Sequence, residues 1–93
     1  PKKGVYVVNV IYNNKNYSGI SNFGIRPTFD GNSFLLEVNI FDFNEEIYGK
    51  ELTVEFLAFI RDEKKFENLE NLKKQIEIDV QSAKLYFVKN NKK

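Results

Sequence analysis

The chain has 93 residues and a formal charge of +1, which suits one domain and does not demand a nucleic-acid backbone as partner. It contains no His, Cys, Trp or Met. Disulfides, thiolate metal sites and ordinary zinc sites are therefore excluded, and a general base would have to be a carboxylate, a Tyr or a Lys. Hydrophobic residues make up 42% and aromatics 15%, enough for a globular core and against disorder. No apolar run approaches the ~20 residues that span a bilayer, and no signal-peptide pattern opens the chain. A cytoplasmic protein fits. The missing Met points to a chain that starts inside a longer protein.

In chain order, Val5–Tyr12 reads as a strand with Tyr6, Val8, Val10 and Tyr12 on one face, while Asn9 marks the other as less buried. Asn13–Asn16 is a polar turn, and Tyr17–Phe23 returns as the second arm of a hairpin. Gly24–Ser33, with Gly, Pro, Asp and Asn, reads as a loop. Phe34–Phe43 is the next strand; Leu36, Val38 and Ile40 share one face, Leu35, Glu37, Asn39 and Phe41 the other. After a turn at Gly49, Glu51–Ile60 alternates, with Leu52, Val54, Phe56, Ala58 and Ile60 pointing one way. Its second half is apolar on both faces, so a cover is expected. From Leu69 the period becomes helical: Leu69, Leu72, Ile76, Val80, Ala83 and Phe87 form a stripe, Asn68 is the candidate N-cap and Glu70 suits the first turn. The final Lys89–Lys93 reads as a frayed tail. The expected architecture is mainly β: at least four antiparallel strands in a small barrel with one long C-terminal helix, since an open sheet would leave two edges unprotected.

Three places carry chemistry. Glu37 is the only charge in Phe34–Phe41. On pattern alone it fits a solvated residue on the outer face of a half-exposed strand; alternatively it is a carboxylate at a barrel mouth, able to take a proton from a hydroxyl. Arg61 ends a strong strand, where it would clamp a phosphate, stack on an aromatic ring or simply be solvated. Asp62, Glu63, Lys64 and Lys65 fit an ordinary charged turn. Arg26–Phe29, "RPTF", combines a fixed backbone angle with a hydroxyl, and turn chemistry alone explains it. Neither GxGxxG nor GK[ST] occurs. The aromatics near these loops, Phe23, Phe29, Phe41, Phe43, Tyr48 and Phe66, are core material or the lining of a pocket for a flat ring.

Taken in order, "GVYVV" at 4–8, "GISNFGIRPTF" at 19–29, "LEVNIFDF" at 36–43, "IYGKEL" at 47–52, "VEFLAFIRDEKKFENLENLKKQI" at 54–76 and Asp79 with Ala83 resemble the riboflavin kinase domain. In bacteria this domain is the C-terminal half of the bifunctional riboflavin kinase/FAD synthetase. The resemblance covers about residues 4–87. It implies a six-stranded antiparallel Greek-key barrel that transfers the γ-phosphoryl of ATP to the riboflavin 5′-hydroxyl, giving FMN, with Mg²⁺ bridging the nucleotide phosphates. The partners it implies are riboflavin, ATP and an N-terminal adenylyltransferase domain that makes FAD, with neither nucleic acid nor membrane.

By position, the resemblance makes Glu37 the catalytic carboxylate. It makes Arg61, with Asp62, Glu63 and Phe66, the loop bordering the flavin, and Asn22, Gly24, Arg26, Pro27 and Thr28 the segment that shapes the entrance. The family's Pro-Thr-x-Asn metal motif is not matched at Thr28, which Phe29 and Asp30 follow. In the family it lies upstream of the "GVY" strand, where only Pro1, Lys2 and Lys3 stand here. Residues 1–93 are thus expected to be a partial domain without metal ligands, lacking a first strand or two and catalytically dead or severely impaired alone, with an exposed edge that favours dimerisation or strand exchange. Two other classes compete: a β-barrel module binding single-stranded nucleic acid through stacked aromatics, against which the near-neutral charge counts, and a barrel that serves assembly only.

Overall fold

The computed structural model describes residues 2–90. It contains β1 (Gly4–Tyr12), β2 (Lys15–Thr28), β3 (Gly31–Ile40), β4 (Thr53–Arg61) and α1 (Leu69–Asn90). All pairings are antiparallel and the sheet order is β3-β2-β1-β4. A meander of three strands with the fourth returning beside the first is the Greek-key order. The mainly β fold with a C-terminal helix is as expected. The barrel is not closed among the described residues: β3 and β4 are both edges.

Two hairpin turns are tighter than the sequence suggests. Tyr12 pairs with Lys15, so the first turn is Asn13 and Asn14 alone, at φ 55° and 64°. A two-residue turn that follows the strand twist needs positive φ at both positions, and Asn tolerates it. The expected loop Gly24–Ser33 is mostly strand: β2 runs on to Thr28, β3 starts at Gly31, and only Phe29 and Asp30 turn. Gly and Pro there punctuate nothing, because the partner strand supplies a ladder up to Thr28↔Gly31, and Pro27 sits close to the hairpin end, where a missing donor is tolerated.

β1 is central and buried on both faces. On one, Tyr6, Val8 and Val10 pack with Tyr17, Phe23, Val38, Ile40, Leu52 and Val54. On the other, Val5, Val7 and Ile20 meet Ala83 of the helix, with Ala58, Ile60, Tyr86 and Phe87 around them. The second face was expected to be the less buried; the helix covers it, and Asn9 bonds at its margin to Asn16 and Glu55. Val7, Val8 and Val10 are fully enclosed, each stabilising the fold by roughly 1.5–3 kcal/mol.

Strict alternation fails in β4. Val8 pairs with Phe56, Val7 with Ala58, Tyr6 with Phe59 and Val5 with Arg61, so the register slips twice. Such slips carry an extra residue and re-aim the side chains that follow. Leu52 and Val54 therefore join one core and Ala58 and Ile60 the other, instead of all sharing one face. The second slip puts Arg61 level with Val5, on the helix side.

The Asn68 Oδ1 accepts the Asn71 N–H at 2.8 Å, the expected N-cap. The helix's buried line differs from the expected stripe. Asp79 and Ala83 are buried, Leu69 is 64% exposed, and Leu72, Tyr86 and Phe87 are half-buried. Lys89 and Asn90, expected in the tail, are helical, with the Asn90 amide donating to the Tyr86 carbonyl; residues 91–93 lie outside the described residues. No helix among the described residues is long and apolar enough to cross a membrane.

Candidate functional site

Four residues stand in one cross-strand row. Glu37 pairs with Asn22, Asn22 with Val5, and Val5 with Arg61. Partners in a row project to the same face of a sheet, here the helix side. All four line a cavity of about 740 Å³ that is roofed by the segment after β4 and the first half of the helix. The rest of its wall includes Ile20, Ile25, Asn39, Glu63, Lys64, Lys65, Phe66, Leu72, Ile76 and Asp79. That volume is in the range of small-molecule and cofactor sites. Apolar groups of Val5, Ile25, Phe66, Leu72 and Ile76 give it a floor and walls, and a few polar groups are set among them.

Arg61 is anchored. Its Nε donates to both oxygens of Asp79 at 2.9 and 3.1 Å, its Nη2 donates to Asp79 Oδ2 at 2.7 Å, and its Nη1 donates to the Asp62 carbonyl at 3.0 Å. Asp79 is 3% exposed, and the Gln75 amide, one turn earlier on the helix, donates to its Oδ1 at 3.0 Å. Phe66 lies with its centroid 6.0 Å from the Arg61 guanidinium and 5.7 Å from the Lys64 ammonium.

Glu37 belongs to both readings offered by the sequence. Its residue is exposed, as an outer-face strand residue would be, yet it lines the cavity shared with Arg61. A second, smaller cavity of about 260 Å³ adjoins, bounded by Asn22, Gly24, Ile25, Arg26, Pro27, Leu35, Glu37 and Glu63. The Glu63 carboxylate, the far end of a flexible exposed side chain, occupies the space over Gly24 where a Cβ would stand.

Residues 1–87 match the family model described as Flavokinase: Riboflavin kinase. The chain belongs to the riboflavin kinase family. It is 48% identical over 88 residues to the bifunctional riboflavin kinase/FMN adenylyltransferase of Haemophilus influenzae, covering 94% of this chain and 29% of that protein. It is 42% identical over 90 residues to the Bacillus subtilis protein of the same description, covering 94% and 28%. A crystal structure described as a macrolide-efflux protein from Streptococcus pneumoniae superposes with a TM-score of 0.85 at 40% identity, covering 90% of this chain and 28% of that one. The chain spans less than a third of the length of either of these two bifunctional relatives.

In this riboflavin kinase domain, the residues singled out from sequence are brought together unevenly. Glu37, Asn22, Arg61, Glu63 and Phe66 share the larger cavity, and Gly24, Arg26 and Pro27 line the smaller one. Thr28, at the exposed end of β2, lines neither, and Asp62 contributes its backbone carbonyl to Arg61. Gly24, Arg26, Pro27 and Thr28 are strand residues rather than a loop, and Asn22 lies in the same strand, as the hairpin reading expects. Lys64 and Lys65, which fit an ordinary charged turn, line the cavity. Asp79 was not among the candidate site residues. Its signal was present: it lies three residues after Ile76 and four before Ala83, in the middle of an apolar helix face, where a carboxylate requires a partner.

Proposed function

We propose that the domain phosphorylates riboflavin, using ATP, to give FMN. The observation that carries this reading is the shared cavity of Glu37 and Arg61, in a chain whose residues 1–87 match the riboflavin kinase family. The flat ring of riboflavin suits the wall formed by Ile25, Phe66, Leu72 and Ile76, and the hydroxylated side chain suits the polar end at Glu37, Asn22 and Asn39.

In this reading Glu37 accepts the proton of the 5′-hydroxyl as that oxygen attacks the γ-phosphorus. The new O–P bond forms while the bond from the γ-phosphorus to the β–γ bridging oxygen breaks, and ADP leaves. Most of the rate of such a transfer comes from in-line positioning and charge stabilisation. Lys64 and Lys65 supply positive charge at the cavity wall. Mg²⁺ belongs to the family's reaction, but no group of three or more His, Cys, Asp and Glu side chains among the described residues is placed to hold a metal. These residues do not build an ion site by themselves, and no step here passes through one.

Glu37 as proton acceptor and Asn22, Gly24, Arg26, Pro27, Thr28, Asp62, Glu63 and Phe66 as the site's border belong to the same proposal. So do a cytoplasmic location, a parent polypeptide bearing an adenylyltransferase domain, and self-association through the β3 or β4 edge. The test is titration of riboflavin with the 93-residue chain, followed by its fluorescence, together with chromatography for FMN after incubation with ATP. Saturable quenching and ATP-dependent FMN, however slow, are expected; riboflavin fluorescence that does not respond to the chain would sink the reading.

A further inference from the structure

We propose that Asp79 is a positioning residue for ligand binding: it fixes the Arg61 guanidinium so that the arginine serves the cavity as an oriented hydrogen-bond donor to an uncharged acceptor edge, such as ring carbonyls, rather than as a free cation for a phosphate. The inference rests on the flavin reading of the site and adds a residue and a ligand edge to it.

Geometry carries the argument. A guanidinium has five N–H groups. Nε, Nη1 and Nη2 each commit one, to Asp79 or to the Asp62 carbonyl, and two are left for the cavity that Arg61 lines. The Asp79 side chain is 4% exposed and that of Arg61 20%, so the carboxylate is the buried member of the pair. Asp79 is itself held from a second side by Gln75. The anchor is a helix residue and the anchored group ends a strand, and both elements are rigid supports for a group that must be held to a fraction of an ångström.

Charge settles which kind of acceptor is favoured. At 2.7 Å the carboxylate cancels most of the field of the guanidinium. What remains is directional donation, suited to a neutral acceptor. Lys64 and Lys65, with no ion-pair partner among the described residues, are the cations of this cavity. Stability alone is a weak account of the pair, because a buried ion pair is often matched or bettered by apolar residues of similar volume.

The experiment is riboflavin titration by fluorescence, with ATP affinity in parallel, on the 93-residue chain, Asp79→Asn and the double variant Arg61→Met/Asp79→Leu. Asp79→Asn is expected to weaken riboflavin binding at least tenfold while ATP affinity stays within threefold. The double variant, which buries no lone charge, is expected to melt within a few degrees of the unmodified chain and still to bind riboflavin at least tenfold more weakly. If Asp79→Asn does not fold, the double variant tests whether the pair as a unit serves riboflavin binding rather than stability. Riboflavin affinity within twofold of the unmodified chain in the folded Asp79→Asn protein or in the double variant would overturn the inference and leave the flavin reading standing. An equal loss of ATP and riboflavin affinity would overturn it too, marking Asp79 as purely structural. No riboflavin binding by the unmodified chain would remove the reading and the inference together.

Discussion

Glu37 and Arg61 sit at opposite ends of one cross-strand row, with Asn22 and Val5 between them, and all four face the same cavity. Three strand spacings make about 14 Å of sheet surface. A ligand that meets both side chains is therefore extended, with an end for the carboxylate and an end for the guanidinium, as riboflavin has.

Glu37→Gln keeps the shape of this row and removes the proposed proton acceptor. The rate of FMN formation should fall by about 10²- to 10⁴-fold, the usual contribution of general-base catalysis, with the riboflavin quenching constant within threefold. A variant as fast as the unmodified chain would reassign the proton.

Gly24→Val tests the contact between β2 and the segment after β4. The added side chain displaces the Glu63 carboxylate, which occupies the space over Gly24. Because Glu63 is flexible and solvent-facing, the melting temperature should change little. Riboflavin affinity should drop at least fivefold, since Glu63 walls both cavities. Unchanged affinity would show that this wall is not used.

Asn68→Ala removes the cap at the helix start, at a cost of about 1 kcal/mol. For a domain of this size that is a fall of about 4–8 °C in melting temperature. Asn68→Asp should recover most of it. Differential scanning calorimetry on the three proteins checks the order.

Val8→Ala cuts into the centre of the sheet, where Val8 is 0% exposed. Loss of buried methyl groups and the cavity left behind should destabilise the chain by about 2 kcal/mol. The urea midpoint should drop with the m-value unchanged. A changed m-value would place the effect in the denatured state.

The sequence was legible where local pattern and local chemistry agree. Period-two alternation located β1 and the face of β3 that carries Leu36, Val38 and Ile40. The change to helical period located α1, and Asn68 announced its cap. The ordered motifs also revealed the family. Gly24–Ser33 carries turn residues yet is mostly strand, because the partner strand that pairs with it, not its composition, decides where the chain turns. Asp79 interrupts the apolar face of the helix, and its partner Arg61 lies on β4, outside any local pattern in the helix.

By itself the sequence determined the identities of the strands and helix and the presence of Glu37 and Arg61 near strand positions, because backbone propensity and side-chain period act over a few residues. Only the tertiary structure decided that these two share a row. That relation depends on three separate strand registers and on two slips in β4 that bring Arg61 level with Val5. It likewise decided that Arg61 spends its charge on Asp79, since an ion pair spanning 18 residues forms only when strand end and helix are packed together, and no local pattern encodes that meeting.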